Sequence, residues 1–249
     1  MDIIFKDHFS GHAEAYATFR PHYPEPFYAW LISLTARQEN AWDCGTGNGQ
    51  AAIRLAESFD TVTATDASAQ QIRQAQPHPK VHYYVEPAEQ SHLETSSVDI
   101  ITAAASIHWF DMHAFYGEVK RVARPDALLA VWAYDRVKIS NEIDILVDRL
   151  YYDIAGPFWP KERRWVEEQY KTIPFPFEEI SAPSFAINHT LTVDDLIGYL
   201  RTWSSVQGYL KVHGKDPVDW ITGELHNLWG SEKRPVEWPM FMRIGRIHK

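Results

Sequence analysis

Three glycines alternate at Gly45, Gly47 and Gly49, inside Ala41-Trp42-Asp43-Cys44-Gly45-Thr46-Gly47-Asn48-Gly49-Gln50. No other feature constrains the chain so tightly. A short apolar stretch stands before them, and Ala51-Ala52-Ile53-Arg54-Leu55-Ala56 follows with apolar residues at helical spacing. The pattern predicts a strand, a tight turn and a helix. Glycine serves such a turn by taking φ > 0 and by letting a ligand approach bare backbone. In α/β sheets, ligands bind outside the carboxyl ends of the strands, where such a turn lies. The spacing G-x-G-x-G is one residue shorter than the dinucleotide pattern G-x-G-x-x-G. Asp43 precedes the first glycine, and an anion there suits a cationic ligand better than a pyrophosphate. A glycine turn that binds nothing has the same local sequence.

A second signal accompanies the first. Thr61-Val62-Thr63-Ala64-Thr65 reads as a strand that ends in Asp66, about 20 residues after Gly45. A carboxylate at that distance accepts ribose hydroxyls. Asp66-Ala67-Ser68 also opens a helical pattern, so helix capping is the competing role for Asp66.

Asp43-Cys44-Gly45-Thr46-Gly47-Asn48-Gly49, Asp66-Ala67-Ser68, Ala88-Glu89 and Ser106-Ile107-His108-Trp109-Phe110 together resemble the ordered motifs of class I S-adenosylmethionine-dependent methyltransferases. Within that superfamily the chain is most similar to the small-molecule group labelled methyltransferase type 11, on its trans-aconitate methyltransferase-like branch. Tyr16-Ala17-Thr18-Phe19-Arg20-Pro21-His22-Tyr23-Pro24, Ala103 to Asp111, and Tyr199-Leu200-Arg201-Thr202-Trp203-Ser204 carry the similarity to that branch.

The resemblance implies S-adenosylmethionine as cofactor. Asp43, Gly45, Thr46 and Gly47 would meet it at the loop, and Asp66 and Ala67 at the ribose. Ala88 and Glu89 would line the adenine, and Ala104 would close the site. The N-terminal segment, residues 1–24, would fold over the cofactor and bring Tyr16 and Arg20 to the methionine carboxylate. A guanidinium grips a carboxylate bidentately, which suits Arg20. Many members carry an aspartate just before the alanine of the adenine motif; Pro87 stands there and offers no carboxylate.

The implied fold is α/β: a doubly wound, mostly parallel, Rossmann-like seven-stranded sheet with helices on both faces and an antiparallel C-terminal strand. Strands alternating with helical patterns argue for that sheet independently. Val81 to Val85 reads as the third strand. Val98 to Ala104 is the fourth, near-continuously apolar as befits a strand covered on both faces. Ala127 to Tyr134 is the fifth, Phe185 to Leu191 the sixth, and Val236 to Ile247 a final edge strand. Members of the family usually carry Pro-Gly-Gly after the fourth helix; here Asp126-Ala127 replaces the glycines after Pro125. Helices are expected over 24–36, 68–76 and 161–171, from Thr192 through Trp203, and from Asp216-Pro217 onward. Residues 192–230 would form a helical insertion over the substrate site within one 249-residue domain.

Composition narrows the partners. The formal net charge of −9 argues against nucleic acid and anionic membranes. The run Lys161-Glu162-Arg163-Arg164 is short and interrupted, and reads as a solvated helix face. Ten Trp, 12 Tyr and 12 Phe suit a ring-lined pocket for a small molecule. Cys44 is the single cysteine, so no internal disulfide forms and a reducing, cytoplasmic setting is expected. No stretch reaches the ~20 apolar residues of a membrane span. His8 and His12 have helical ligand spacing but lack a third partner, so no metal is expected. A monomer or homodimer is expected.

On the acceptor side, His108 and Trp109 follow the fourth strand, whose carboxyl end faces the methyl group in the resembling fold. Histidine suits proton transfer near neutral pH, whereas a buried histidine bonded to its surroundings is the structural alternative. Trp109 would otherwise be core. Arg201 beside Trp203 would anchor a carboxylic acid substrate; a surface salt bridge is its alternative. The rival functions are an NAD-dependent oxidoreductase, disfavoured by the glycine spacing, and a cofactor-binding regulator without catalysis.

Overall fold

The computed structural model describes residues 19–248. In chain order its strands are β1 (Asn40–Cys44), β2 (Thr61–Asp66), β3 (Val81–Val85), β4 (Val98–Ala104), β5 (Ala123–Tyr134), β6 (Glu178–Glu179), β7 (Ala186–Leu191) and β8 (Arg234–Ile247). They form one sheet in the order β3-β2-β1-β4-β5-β8-β6, and β7 pairs with β8 off that path. The five strands from β3 to β5 are parallel, and β8 runs antiparallel to β5. β1 pairs β2 on one side and β4 on the other, so the winding reverses between β1 and β4. The crevice at such a reversal is where open α/β sheets bind ligands.

The sequence pattern predicts seven strands, and the described residues form eight. β8 is 14 residues long, but only Met240 to Ile247 pairs with β5. Its first half projects past the parallel sheet and pairs with β7 from Arg234 to Pro239. Its last residues leave an edge that the two-residue β6 fills at Gly245 and Arg246.

Helices α1 (Glu25–Ser33), α2 (Gln50–Ala56), α3 (Ala69–Arg73) and α4 (Met112–Val122) cover the parallel strands. β1 and β4 are buried along nearly all their length, as a doubly covered sheet requires. Phe27 and Leu31 of α1 and Leu55 of α2 pack with Ile100, Leu128 and Trp132. Phe115, Val119 and Val122 of α4 pack with Trp42, Ile101 and Leu129. Asp111 caps α4 by accepting the Ala114 amide at 3.0 Å.

Beyond β5 the chain forms α5 (Asn141–Asp148), α6 (Arg163–Glu167), α7 (Val193–Arg201), α8 (Ser204–His213) and α9 (Asp219–Trp229). α7 opens on a capping box: the Asp195 amide donates to Thr192 Oγ1 at 3.1 Å, and the Thr192 amide to Asp195 Oδ2 at 2.9 Å. Leu196, Leu200, Trp203, Ile221, Leu225 and Trp229 share a core with Ile143, Val147 and Leu150. Three helices therefore occupy residues 192–230, between β7 and β8, and pack on the segment that follows β5.

Several elements are shorter than their sequence pattern. α6 ends at Glu167 because Gln169 and Tyr170 take φ of 54° and 61°, outside the helical region. The pattern after Thr192 divides into α7 and α8 at Thr202-Trp203. Asp126 has φ 64°, the left-handed region that favours glycine, and Arg246 Nη1 donates to its carbonyl at 3.0 Å. The His8/His12 pair and Tyr16 lie outside the described residues, as does most of the expected covering segment 1–24.

Candidate active site

A cavity of about 520 Å³ opens at the carboxyl ends of the parallel strands. Its floor is the glycine loop after β1, with Gly45, Thr46 and Gly47. Asp66, Ala67 and Ser68 bound it beyond β2, and Val85 to Glu89 beyond β3. Ala104, Ala105 and Ser106 follow β4, with Trp109 and Phe110 above them. Arg20 and Tyr134 close the remaining side.

The loop's two cavity-side glycines serve different ends. A Cβ on Gly45 would stand 2.6 Å from Ser106 Cβ, so the loop can lie on the end of β4 only without one. At Gly47, with φ 59°, the nearest obstacle to a Cβ is Gln71 Oε1 at 3.9 Å. The space above Gly47 therefore belongs to the cavity, and its backbone is bare to whatever enters.

Asp43 braces the loop from beneath. Its Oδ2 accepts from Thr46 Oγ1 at 2.5 Å and its Oδ1 from Thr102 Oγ1 at 2.6 Å. It is fully buried and does not line the cavity, contrary to the expectation of cofactor contact. Burial pushes its carboxyl up to about 6, and the nearby Asp66 adds to the rise, against the lowering by the two threonines.

Asp66 Oδ2 accepts the Gly47 amide at 2.9 Å and Oδ1 accepts the Ser68 amide at 2.8 Å. The helix cap is Ser68, whose Oγ accepts the Gln71 amide. Asp66 is thus released from the capping role. Beside these two bonds Asp66 lines the cavity.

Ala88 is buried at the cavity wall, and Glu89 lines it while accepting the Asp111 amide at 2.8 Å. That bond ties the loop after β3 to the start of α4. Ala105 turns the chain after β4 with φ 51° and donates its amide to Trp132 O at 2.7 Å. Ser106 Oγ donates to Cys44 O at 3.0 Å. Arg20 Nη1 donates to Tyr134 Oη at 2.8 Å, and its guanidinium lies 5.4 Å from the Tyr199 ring centroid.

The three acceptor-side candidates separate. Trp109 lines the cavity. His108 does not; it lines a smaller adjoining cavity of about 60 Å³. Its Nδ1 lies 3.0 Å from Tyr170 Oη, and burial, helped by the Arg163 cation, lowers its pKa to about 3. His108 is therefore a neutral, bonded imidazole at neutral pH, and the alternative of a structural histidine describes it better than a proton shuttle. Arg201 lines neither cavity. It is 46% exposed and ion-paired with Asp216 at 2.6 Å and Asp219 at 2.9 Å, so the expected anchor is a surface salt bridge.

Sequence reasoning passed over Tyr134 and Arg163. Tyr134 is the last residue of β5, and the rule that ligands sit at strand carboxyl ends points to it. Arg163 lies within the run read as a solvated helix face, yet it lines the smaller cavity.

A doubly wound sheet, its glycine loop at the reversal point and an acidic residue closing the neighbouring strand define the class I methyltransferase fold. Comparison with known proteins agrees. The sequence profile of the family described as Methyltransferase domain matches residues 42–131. A Dictyostelium discoideum protein named as a methyltransferase is 32% identical over 251 residues, covering 97% of this chain and 95% of that one. A solved structure from Anaeromyxobacter dehalogenans, assigned as a type II methyltransferase, superposes with a TM-score of 0.86 at 43% identity, over 92% of this chain and 99% of that one. A Haemonchus contortus phosphoethanolamine N-methyltransferase solved with S-adenosylhomocysteine shares the fold, with a TM-score of 0.50 at 14% identity, over 96% of this chain and 58% of that one. The chain belongs to the methyltransferase family. Among the described residues no helix is long and apolar enough to cross a membrane.

Proposed function

We propose that the enzyme transfers the methyl group of S-adenosylmethionine to a small-molecule acceptor, with a carboxylic acid as the favoured class. The observation that carries the reading is the bare Gly47 backbone joined to Asp66 at the cavity floor. This pair fits an adenosyl group: the loop leaves room for it, and the carboxylate lines the same cavity where a ribose hydroxyl could donate to it. Ala88 and Glu89 stand where the adenine would rest. Arg20, backed by Tyr134, offers a cation to the methionine carboxylate.

When bound, S-adenosylmethionine supplies a methyl group already activated on a sulfonium. The protein's own residues then contribute alignment and exclusion of water. Trp109 and Phe110 wall the acceptor side with apolar surface. His108 is held by Tyr170, lies outside the main cavity and, with its pKa lowered by burial, is a poor proton acceptor, so it acts as wall rather than base. An acceptor that is already an anion at neutral pH needs no base, which favours a carboxylate over a phenol or an amine. The stretches similar to the trans-aconitate methyltransferase-like branch point the same way.

Incubation with methyl-tritiated S-adenosylmethionine and a panel of acids, phenols and amines, trans-aconitate among them, tests the reading. Label should pass to an acid. Label in phenols or amines alone would overturn the acid assignment. An absence of S-adenosylhomocysteine binding by calorimetry would overturn the cofactor.

A further inference from the structure

The smaller cavity continues from the larger one: Arg20, Ala105, Trp109 and Tyr134 line both. At about 60 Å³ it is far smaller than the main cavity and suits a carboxylate-sized group. Trp109, Trp159, Trp203 and Tyr199 form apolar walls, and the Arg136 and Arg163 side chains enter among them.

These two cations are met differently. Arg136 Nε lies 3.0 Å from Asp148 Oδ1, so a carboxylate already answers its charge. Arg163 Nε donates to Tyr151 Oη at 2.9 Å, and its guanidinium stacks 4.6 Å from the Trp159 ring centroid. Among the described residues no carboxylate forms an ion pair with Arg163; Glu167 is one hydroxyl removed, accepting from Tyr151 at 2.9 Å. A stacked guanidinium bonded through Nε is held in one plane, and its terminal N–H groups form a fork suited to an oxyanion. The other ionisable groups of the cavity do not compete. Asp135 accepts the Arg136 amide at 2.7 Å and Gln169 Nε2 at 3.2 Å, and His108 is neutral. Gln169 and Tyr170, which reach Asp135 and His108, adopt consecutive left-handed conformations. Backbone strain of that kind, about 1–3 kcal/mol per residue, is concentrated at ligand sites.

The geometry points to an oxyanion subsite in which Arg163, flat on Trp159, takes the carboxylate- or phosphate-type group of the methyl acceptor while the rest of the acceptor passes Trp109 into the main cavity. This rests on the proposed methyl transfer for its purpose, and it moves the anchoring role from Arg201 to Arg163.

Calorimetric titration of the S-adenosylhomocysteine-saturated enzyme tests it. Phenylacetate is compared with phenylacetamide, butyrate with butyramide, and phenyl phosphate serves as the phosphate arm. At least one anion should bind tenfold or more tightly than its neutral counterpart. Arg163→Gln should abolish that preference, Arg163→Lys should retain part of it, and S-adenosylhomocysteine affinity should stay within twofold. Arg163-dependent binding of phenyl phosphate alone would support the subsite and assign the acceptor to the phosphate class. Equal binding of acids and amides, with no binding of phenyl phosphate, would overturn the subsite, as would a preference that survives Arg163→Gln. If circular dichroism shows Arg163→Gln unfolded, Arg163→Lys carries the comparison, and an undiminished preference there overturns the proposal. If the wild-type enzyme takes up no S-adenosylhomocysteine, the methyl-transfer reading fails, and the same anion-to-amide ratio on the unloaded protein judges the subsite by itself.

Discussion

The Gly47 amide donates to the Asp66 carboxylate at 2.9 Å, joining the loop after β1 to the end of β2. One bond thus couples the two motifs that stand about 20 residues apart in the chain. It also aims a carboxylate along the cavity floor, while Ser68 takes the capping of α3.

Replacing Asp66 by Ala should lower S-adenosylhomocysteine affinity by about 10- to 100-fold, since hydrogen bonds to a charged group contribute about 1.5–3 kcal/mol. Calorimetric titration measures it directly. An unchanged affinity would place the ribose elsewhere.

The two cavity-side glycines should respond differently. Gly45→Ala sets a Cβ against Ser106 at 2.6 Å and keeps φ at 64°, so overpacking and left-handed strain should remove about 3 kcal/mol of stability. Gly47→Ala meets open space and should lose only about 1 kcal/mol, while its methyl group enters the cavity and costs ligand affinity. Urea midpoints and S-adenosylhomocysteine titration on both variants separate the two effects.

Asp43 should leave a signature in the pH dependence of stability. Its pKa is raised to about 6 in the fold from the ordinary 3.8. Between those values the native state holds the proton more tightly than the unfolded chain. Its contribution to stability is therefore full below pH 3.8 and falls as pH rises toward 6, by about 3 kcal/mol at 1.36 kcal/mol per pH unit. Wild type minus Asp43→Asn stability, from urea unfolding at pH 4, 5, 6 and 7, should decline across that window and level off above it.

Arg201→Ala should leave methyl transfer within twofold of wild type. Its partners Asp216 and Asp219 lie on the surface, and exposed pairs of this kind contribute about 0.2–1 kcal/mol. A large rise in KM for the acceptor would return Arg201 to the site.

Local sequence carried most of the architecture. The glycine loop, Asp66 and the alternation of apolar strands with helical patterns foretold the parallel sheet and the crevice at its reversal. Those features depend on near neighbours: turn geometry, hydrophobic period and capping. The eighth strand was not legible, because Glu178-Glu179 has no strand pattern and pairs only where the long β8 leaves an edge.

The chain by itself determined that a glycine turn would leave bare backbone at Gly47 and that a carboxylate would end the next strand. Folding alone decided which charges line the cavities. Asp43 went beneath the loop because two threonine hydroxyls, one from Thr102 on β4, satisfy it there. Arg201 went to solvent because Asp216 and Asp219, 15 and 18 residues on, reach it outside the cavities. Arg163 came inward because Trp159 and Tyr151 hold its guanidinium against the smaller cavity. Spacing along a chain sets the local turn, whereas the direction a long cationic side chain takes depends on which distant partners reach it first.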